Sequence, residues 1–233
     1  MLTATLLAFG LATLYSASAI VAMQSGFAST HFLLRQVSGI AVGTVLFMLA
    51  AKCDAEWWRG IAWPLMIGAI VLMSLCLLPF TLSIAPAIHG SRRFLFGGSV
   101  QPSEYAKLAV IVWTAMLTIK KGDQLRRLTK GLLPVLLVVG LLAGLAVLEP
   151  DLSIAVYYAL LMGVILFAGG VRIGHFVFLG VAAVPLIWSQ VLRLEYVLER
   201  LLGFADAGAV HRAVNFQLQQ SLIAVGSGGW FGV

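Results

Sequence analysis

The chain has 233 residues, of which 61% are hydrophobic and 10% charged, and its formal net charge is +6. A soluble domain is about 25% charged, and with less than half of that a chain cannot coat its apolar surface. These figures exclude a cytosolic globular enzyme, a disordered chain and a nucleic-acid module, and they fit a membrane protein whose positive charges sort its loops.

A helix of about 20 apolar residues crosses the hydrocarbon of a bilayer. No Asp, Glu, Lys or Arg occurs between Met1 and Leu34, and the first span is predicted at 2–23. It has neither a basic start nor a small-residue cleavage site, so it reads as a retained helix rather than a signal peptide. Further spans are predicted at 36–52, 61–83, 104–119, 131–148, 152–171 and 173–192. The expected fold is therefore an all-α integral membrane protein, a polytopic bundle of about seven transmembrane helices over residues 1–192. The remainder, 193–233, is amphiphilic and holds Arg193, Glu195, Glu199, Arg200, Asp206 and Arg212; no full eighth span is expected there.

Lys and Arg in short loops set the orientation. One side would hold Lys52, Arg59, Lys120, Lys121, Arg126, Arg127, Lys130 and Arg172, and the other Arg35, Arg92, Arg93, Arg193, Arg200 and Arg212. The compact cluster KKGDQLRRLTK at 120–130 reads as cytoplasmic. The N-terminus is then cytoplasmic, and the loops at 24–35, 84–103 and 149–151, with the tail from 193, face outward. Arg92 and Arg93 lie together against that preference. Either they snorkel to lipid phosphates or they meet an anionic partner.

Ionisable groups inside a span are costly and are functional candidates by default. Lys107 stands one turn into the fourth span, in PSEYAKLAVIVW, with Glu104 three residues earlier on the same face. Pro102 suits the first turn and Ser103 is a fair cap. Asp151 follows Glu149 and Pro150 where two apolar runs meet; Pro150 ends one helix and Asp151 can cap the next. Lys107 is expected within ion-pair reach of Glu104 or Asp151. Cys53 and Cys76 suggest neither a disulfide framework nor a zinc pattern. His31, His89, His175 and His211 lack metal-ligand spacing. Trp57, Trp58 and Trp188 fall near predicted interfaces, and Gly226–Gly229 reads as a flexible turn too short for a phosphate loop.

Four ordered segments carry a family resemblance. TLYSAS (13–18), HGSRRFLFGGSVQPSEYAKLAV (89–110), LEPDLSIAVYYALLMGVILFAGG (148–170) and NFQLQQSLIAVGSGGWFGV (215–233) resemble the SEDS proteins, the shape, elongation, division and sporulation family that includes FtsW, RodA and SpoVE. The resemblance covers the whole chain. It implies a ten-helix membrane protein that polymerises lipid II, an undecaprenyl-pyrophosphate disaccharide, on the outer face of the bacterial inner membrane. It also implies a class B penicillin-binding protein as partner, and it leaves open whether a divalent ion takes part. The substrate-binding residues it implies are Arg92, Arg93, Glu104, Lys107, Asp151, Gln217, Gln220 and Ser221. Two departures stand out: Phe94 replaces the family's Trp, and the family's Gln-Pro-Asp reads Glu149-Pro150-Asp151. The family's base is an Asp in a large outer loop. Residues 193–233 are expected to open that loop, and the base to lie beyond Val233, so that this chain alone would be inactive. Two other functions compete with a polymerase: a flippase for lipid-linked precursor, and a non-catalytic scaffold of the division or elongation machinery.

Overall fold

The computed structural model describes residues 1–78, 93–95, 100–193 and 212–229. Their regular structure is helical, apart from an isolated antiparallel bridge between Leu95 and Val100. The helices are α1 (Leu2–Gln24), α2 (His31–Lys52), α3 (Ala55–Leu77), α4 (Pro102–Lys121), α5 (Leu133–Leu148), α6 (Leu152–Ala168), α7 (Ile173–Arg193) and α8 (Arg212–Gly228). A 3₁₀ turn at Gly122–Arg126 and a π turn at Leu128–Leu132 join α4 to α5. Among the described residues, four stretches are long and apolar enough to cross a membrane: α1, α2, α3 and Leu128–Leu148. α6 and Ile173–Pro185 are shorter apolar helices.

Each expected span has a helix. The second begins at His31 rather than 36, and the third runs from Ala55 to Leu77, earlier than 61–83. The expected turn at Gly226–Gly229 is a correction: Gly226, Ser227 and Gly228 are helical, and Gly229, at φ +51°, follows the end of α8. The Ser227 hydroxyl bonds back to the Ile223 carbonyl at 2.8 Å, which fits a helical turn.

The chain forms two compact units, Met1–Trp58 and Arg59–Val233. The first is a hairpin of α1 against α2. Its helices are apolar nearly all round and leave large side chains such as Phe9, Leu46 and Phe47 exposed, a surface suited to hydrocarbon rather than water. The hairpin turns at Gly26, whose φ of +78° suits glycine, and Phe27 stacks on His31 with ring centroids 4.4 Å apart.

The second unit has a buried core. Ala62, Met66, Ala69 and Met73 form a stripe on α3, and Ala106, Ala109, Val110 and Trp113 form one on α4. Val135, Val139, Leu142 and Ala146 do the same on α5, as do Ala155, Tyr158, Met162 and Leu166 on α6. Spacings of three and four residues put each set on one helical face. α4 packs on both α5 and α6. It meets α3 through an edge-to-face Trp63–Trp113 pair with centroids 5.4 Å apart, and where Gly68 leaves room for the Tyr105 ring. Between α4 and α5, Leu125 is buried and a Cβ on Gly131 would collide with the Gln124 carbonyl. Lys121 Nζ donates to the Lys130 carbonyl at 2.5 Å, which closes the basic connection on itself.

Candidate functional site

The candidate residues collect where α4 and α6 begin. Pro102 occupies the first turn of α4, as its missing N–H allows. The expected cap at Ser103 is not seen: the capping position is Gln101, without a side-chain bond, and Ser103 is buried inside the helix. On α6, Asp151 is the N-cap, and its Oδ1 accepts the Ile154 N–H at 3.2 Å. α6 is tied back to α4 by Tyr158, whose buried hydroxyl donates to the Ser103 carbonyl at 3.0 Å.

Two ion pairs stand at this end. Arg93 Nη1 donates to Asp151 Oδ2 at 3.3 Å, so one carboxylate caps a helix and holds a guanidinium. Lys107 Nζ lies 2.6 Å from Glu104 Oε1 and 5.0 Å from the centroid of the Tyr157 ring. Of the two carboxylates within expected reach of Lys107, the structure gives it Glu104 and gives Asp151 to Arg93. The Lys107 side chain is 26% exposed and that of Glu104 59%; Arg93 and Asp151 are 35% and 15%. The Arg93 guanidinium also stands 5.9 Å from the Phe94 ring, within cation–π range without the indole of a Trp.

Arg92 lies outside the described residues. Gln217, Gln220 and Ser221 are on α8, where Gln220 and Ser221 are exposed. Among the described residues, no group of three or more His, Cys, Asp or Glu side chains is placed to hold a metal ion.

Glu149 belongs to this end and was not among the sequence candidates. It caps the C-terminus of α5 and is 2% exposed. Its Oε1 has no hydrogen-bond partner among the described residues. Burial, and then the Asp151 carboxylate, push its pKa up to about 8, against an opposing pull from Arg93. The sequence signal was a carboxylate between two long apolar runs, one residue from a proline.

The family model described as a cell cycle protein, FtsW/RodA/SpoVE, matches residues 1–233. The chain belongs to the FtsW/RodA/SpoVE family. Curated relatives agree. A probable peptidoglycan glycosyltransferase FtsW of Trichlorobacter lovleyi is 32% identical, over 100% of this chain and 61% of that protein. The corresponding protein of Coxiella burnetii is 34% identical, over 99% of this chain and 62% of that protein. Among solved structures, one described as showing structural coordination of polymerization and crosslinking by a peptidoglycan synthase complex matches at TM-score 0.66. It has 28% identity and covers 96% of this chain and 66% of that one. The rod shape determining protein RodA of Thermus thermophilus matches at TM-score 0.53 with 26% identity, over 77% of this chain and 58% of that one. The chain thus spans about three fifths of the length of these curated relatives. Membership and fold together establish an all-α polytopic membrane protein.

Proposed function

We propose that this chain contributes the donor-binding end of a lipid II polymerase, a peptidoglycan glycosyltransferase of bacterial cell-wall synthesis. The observation that carries this reading is the placement of two cations, Arg93 and Lys107, at one end of the helical core, each held by a carboxylate. In this reaction an acceptor sugar hydroxyl attacks the anomeric carbon of the donor, and a lipid pyrophosphate departs. Negative charge grows on that leaving group. A guanidinium and an ammonium already held in place stabilise it more than mobile cations in water would. Asp151 and Glu104 hold the cations in place before donor arrives.

None of these four residues is assigned the task of removing the acceptor proton; that base is assigned to the outer-loop Asp of the family motif. Arg92, Gln217, Gln220 and Ser221 are proposed as further donor contacts. Residues 1–192 are proposed as a seven-helix transmembrane bundle, and 193–233 as the opening of the outer loop, with α8 inside it. The proposed setting is the bacterial plasma membrane with the N-terminus cytoplasmic. A class B penicillin-binding protein is the proposed partner, supported by the likeness to a complex that coordinates polymerization and crosslinking.

The test uses the full-length protein, purified lipid II and a gel that resolves glycan chains. Arg93→Ala and Lys107→Met should each lower polymer formation by about tenfold or more, the size of one lost charge-assisted contact in the transition state. Unimpaired polymerisation by both variants would overturn the reading. Lipid II crossing vesicles without polymer formed would favour a flippase instead.

A further inference from the structure

One carboxyl at the candidate site is left without a role. Glu149 lies in the link between α5 and α6, two residues from Asp151, and is almost wholly removed from solvent. The groups that act on it electrostatically come from each neighbouring element. Asp151 is on its own turn, Arg93 on the 93–95 segment, Cys76 on α3 and Tyr158 on α6. Glu104 of α4 reaches the same cluster through Tyr158. Arg93 is the one cation in this set.

Two polar atoms of the cluster have no hydrogen-bond partner among the described residues: an acceptor, Glu149 Oε1, and a donor, Arg93 Nε. Arg93 spends an Nη1 hydrogen on Asp151 at 3.3 Å and keeps its Nε hydrogen uncommitted. Asp151 uses Oδ2 for Arg93 and Oδ1 for the Ile154 N–H, so both of its oxygens are engaged. An unpaired anion in such a place is costly, whereas a neutral carboxylic acid is tolerated. Once ionised, Glu149 would compete with Asp151 for the same guanidinium and repel the Asp151 carboxylate.

We propose that Glu149 is a positioning residue: while it carries its proton, Arg93 is committed to Asp151, and when it loses that proton it draws the guanidinium off Asp151 and disables the pair. The site is then set for work at neutral and mildly acidic pH and fails in alkali. Glu149 touches no reacting atom in this scheme and acts through Arg93. The consequence for activity rests on the polymerase reading; the competition for Arg93 does not.

The experiment separates the two. A double-mutant cycle of Glu149→Gln and Arg93→Met is measured by unfolding stability at about pH 6 and about pH 9. Coupling should be near zero at the lower pH and about fivefold or more in the folded-to-unfolded ratio at the higher. Equal coupling at both values overturns the proposal. Should Arg93→Met fail to fold, infrared difference spectra of the wild type against Glu149→Gln decide it. A carboxylic-acid C=O band should be present at about pH 6 and lost as pH rises through about 8, and absent in the variant; no such band at about pH 6 means that Glu149 is already ionised and overturns the proposal. With the full-length protein, polymer formation should fall about fivefold or more above about pH 8 in the wild type and stay level in Glu149→Gln. Identical pH profiles overturn the positioning role. No polymer from either protein at any pH removes the polymerase reading, while the coupling still decides where Arg93 goes.

Discussion

The α1–α2 hairpin and the end of the core where α4 and α6 begin are built from similarly apolar sequence and are used in opposite ways. In the hairpin the large side chains point outward and almost nothing is buried: only Ala22 of α1 is, and no residue of α2. Several of its hydroxyls are satisfied locally: Thr13, Ser18 and Thr44 bond to carbonyls within their own helices. At the α4–α6 end, Arg93, Glu104, Lys107, Glu149 and Asp151 gather beside a closely packed core. The lesson is that a membrane helix tolerates charge where a neighbouring helix start supplies free N–H groups and an opposite charge is at hand. A helix facing hydrocarbon on all sides has neither.

Truncating a core side chain should show that contrast most strongly. Trp113→Ala removes a large ring buried to 1% exposure and should cost about 3–5 kcal/mol in detergent unfolding. Phe47→Ala in the hairpin, at 72% exposure, should stay within about 0.5 kcal/mol. Similar costs for the two would break the distinction between a packed unit and a hydrocarbon-facing one.

Next in size is a pH effect confined to the second unit. The folded chain holds the Glu149 proton up to about 8, whereas an unperturbed carboxyl releases it near 4.5. Between those values the native state binds more protons than the unfolded state, so stability falls as pH rises through that window and levels off above about 8. Glu149→Gln should abolish this fall; thermal unfolding followed from about pH 5 to about pH 9 checks it. An unchanged slope in the variant would mean that another group carries it.

Asp151→Ala should cost about 1–2 kcal/mol, since it removes a helix cap and leaves Arg93 without its carboxylate. Asp151→Asn preserves an acceptor for the Ile154 N–H and should cost less, while losing the ion pair. If both cost the same, capping contributes nothing and the pair is everything. At this end of the core the smallest stability effect is expected for Lys107→Met. The Lys107–Glu104 pair is partly solvated, and such pairs contribute about 0–1 kcal/mol. If the proposed polymerase reading holds, its loss should appear in polymer formation by the full-length protein instead, and a larger loss of stability would make Lys107 a structural residue.

What could be read without coordinates was local. The apolar runs announced the helices, because about 20 uninterrupted apolar residues have few other stable fates. Glu104 and Lys107 are three residues apart on one helix, so their contact follows from helical geometry. The capping role of Asp151 follows from a carboxylate placed after Pro150 and before an apolar run. The motif order pointed to the family, and the family model and solved structures bear that out. The end of α8 was misjudged because Gly-Ser-Gly-Gly favours a turn only weakly, and a Ser that bonds back within its own helix can sustain the final turn.

Tertiary structure alone decided that Asp151 took Arg93. Arg93 and Asp151 are 58 positions apart; α6 is fastened to α4 by Tyr158 on the Ser103 carbonyl, and the 93–95 segment packs on α3 through Leu95 and Cys76. The state of Glu149 was beyond sequence for the same reason. A carboxyl beside a proline could equally face solvent, and its burial depends on the segments that close around it from other parts of the chain. Sequence determined that this protein is a set of membrane helices with a few charges at their ends. Folding determined which of those charges are paired and which one is left holding a proton, because desolvation and pairing energies depend on neighbours that chain order does not supply.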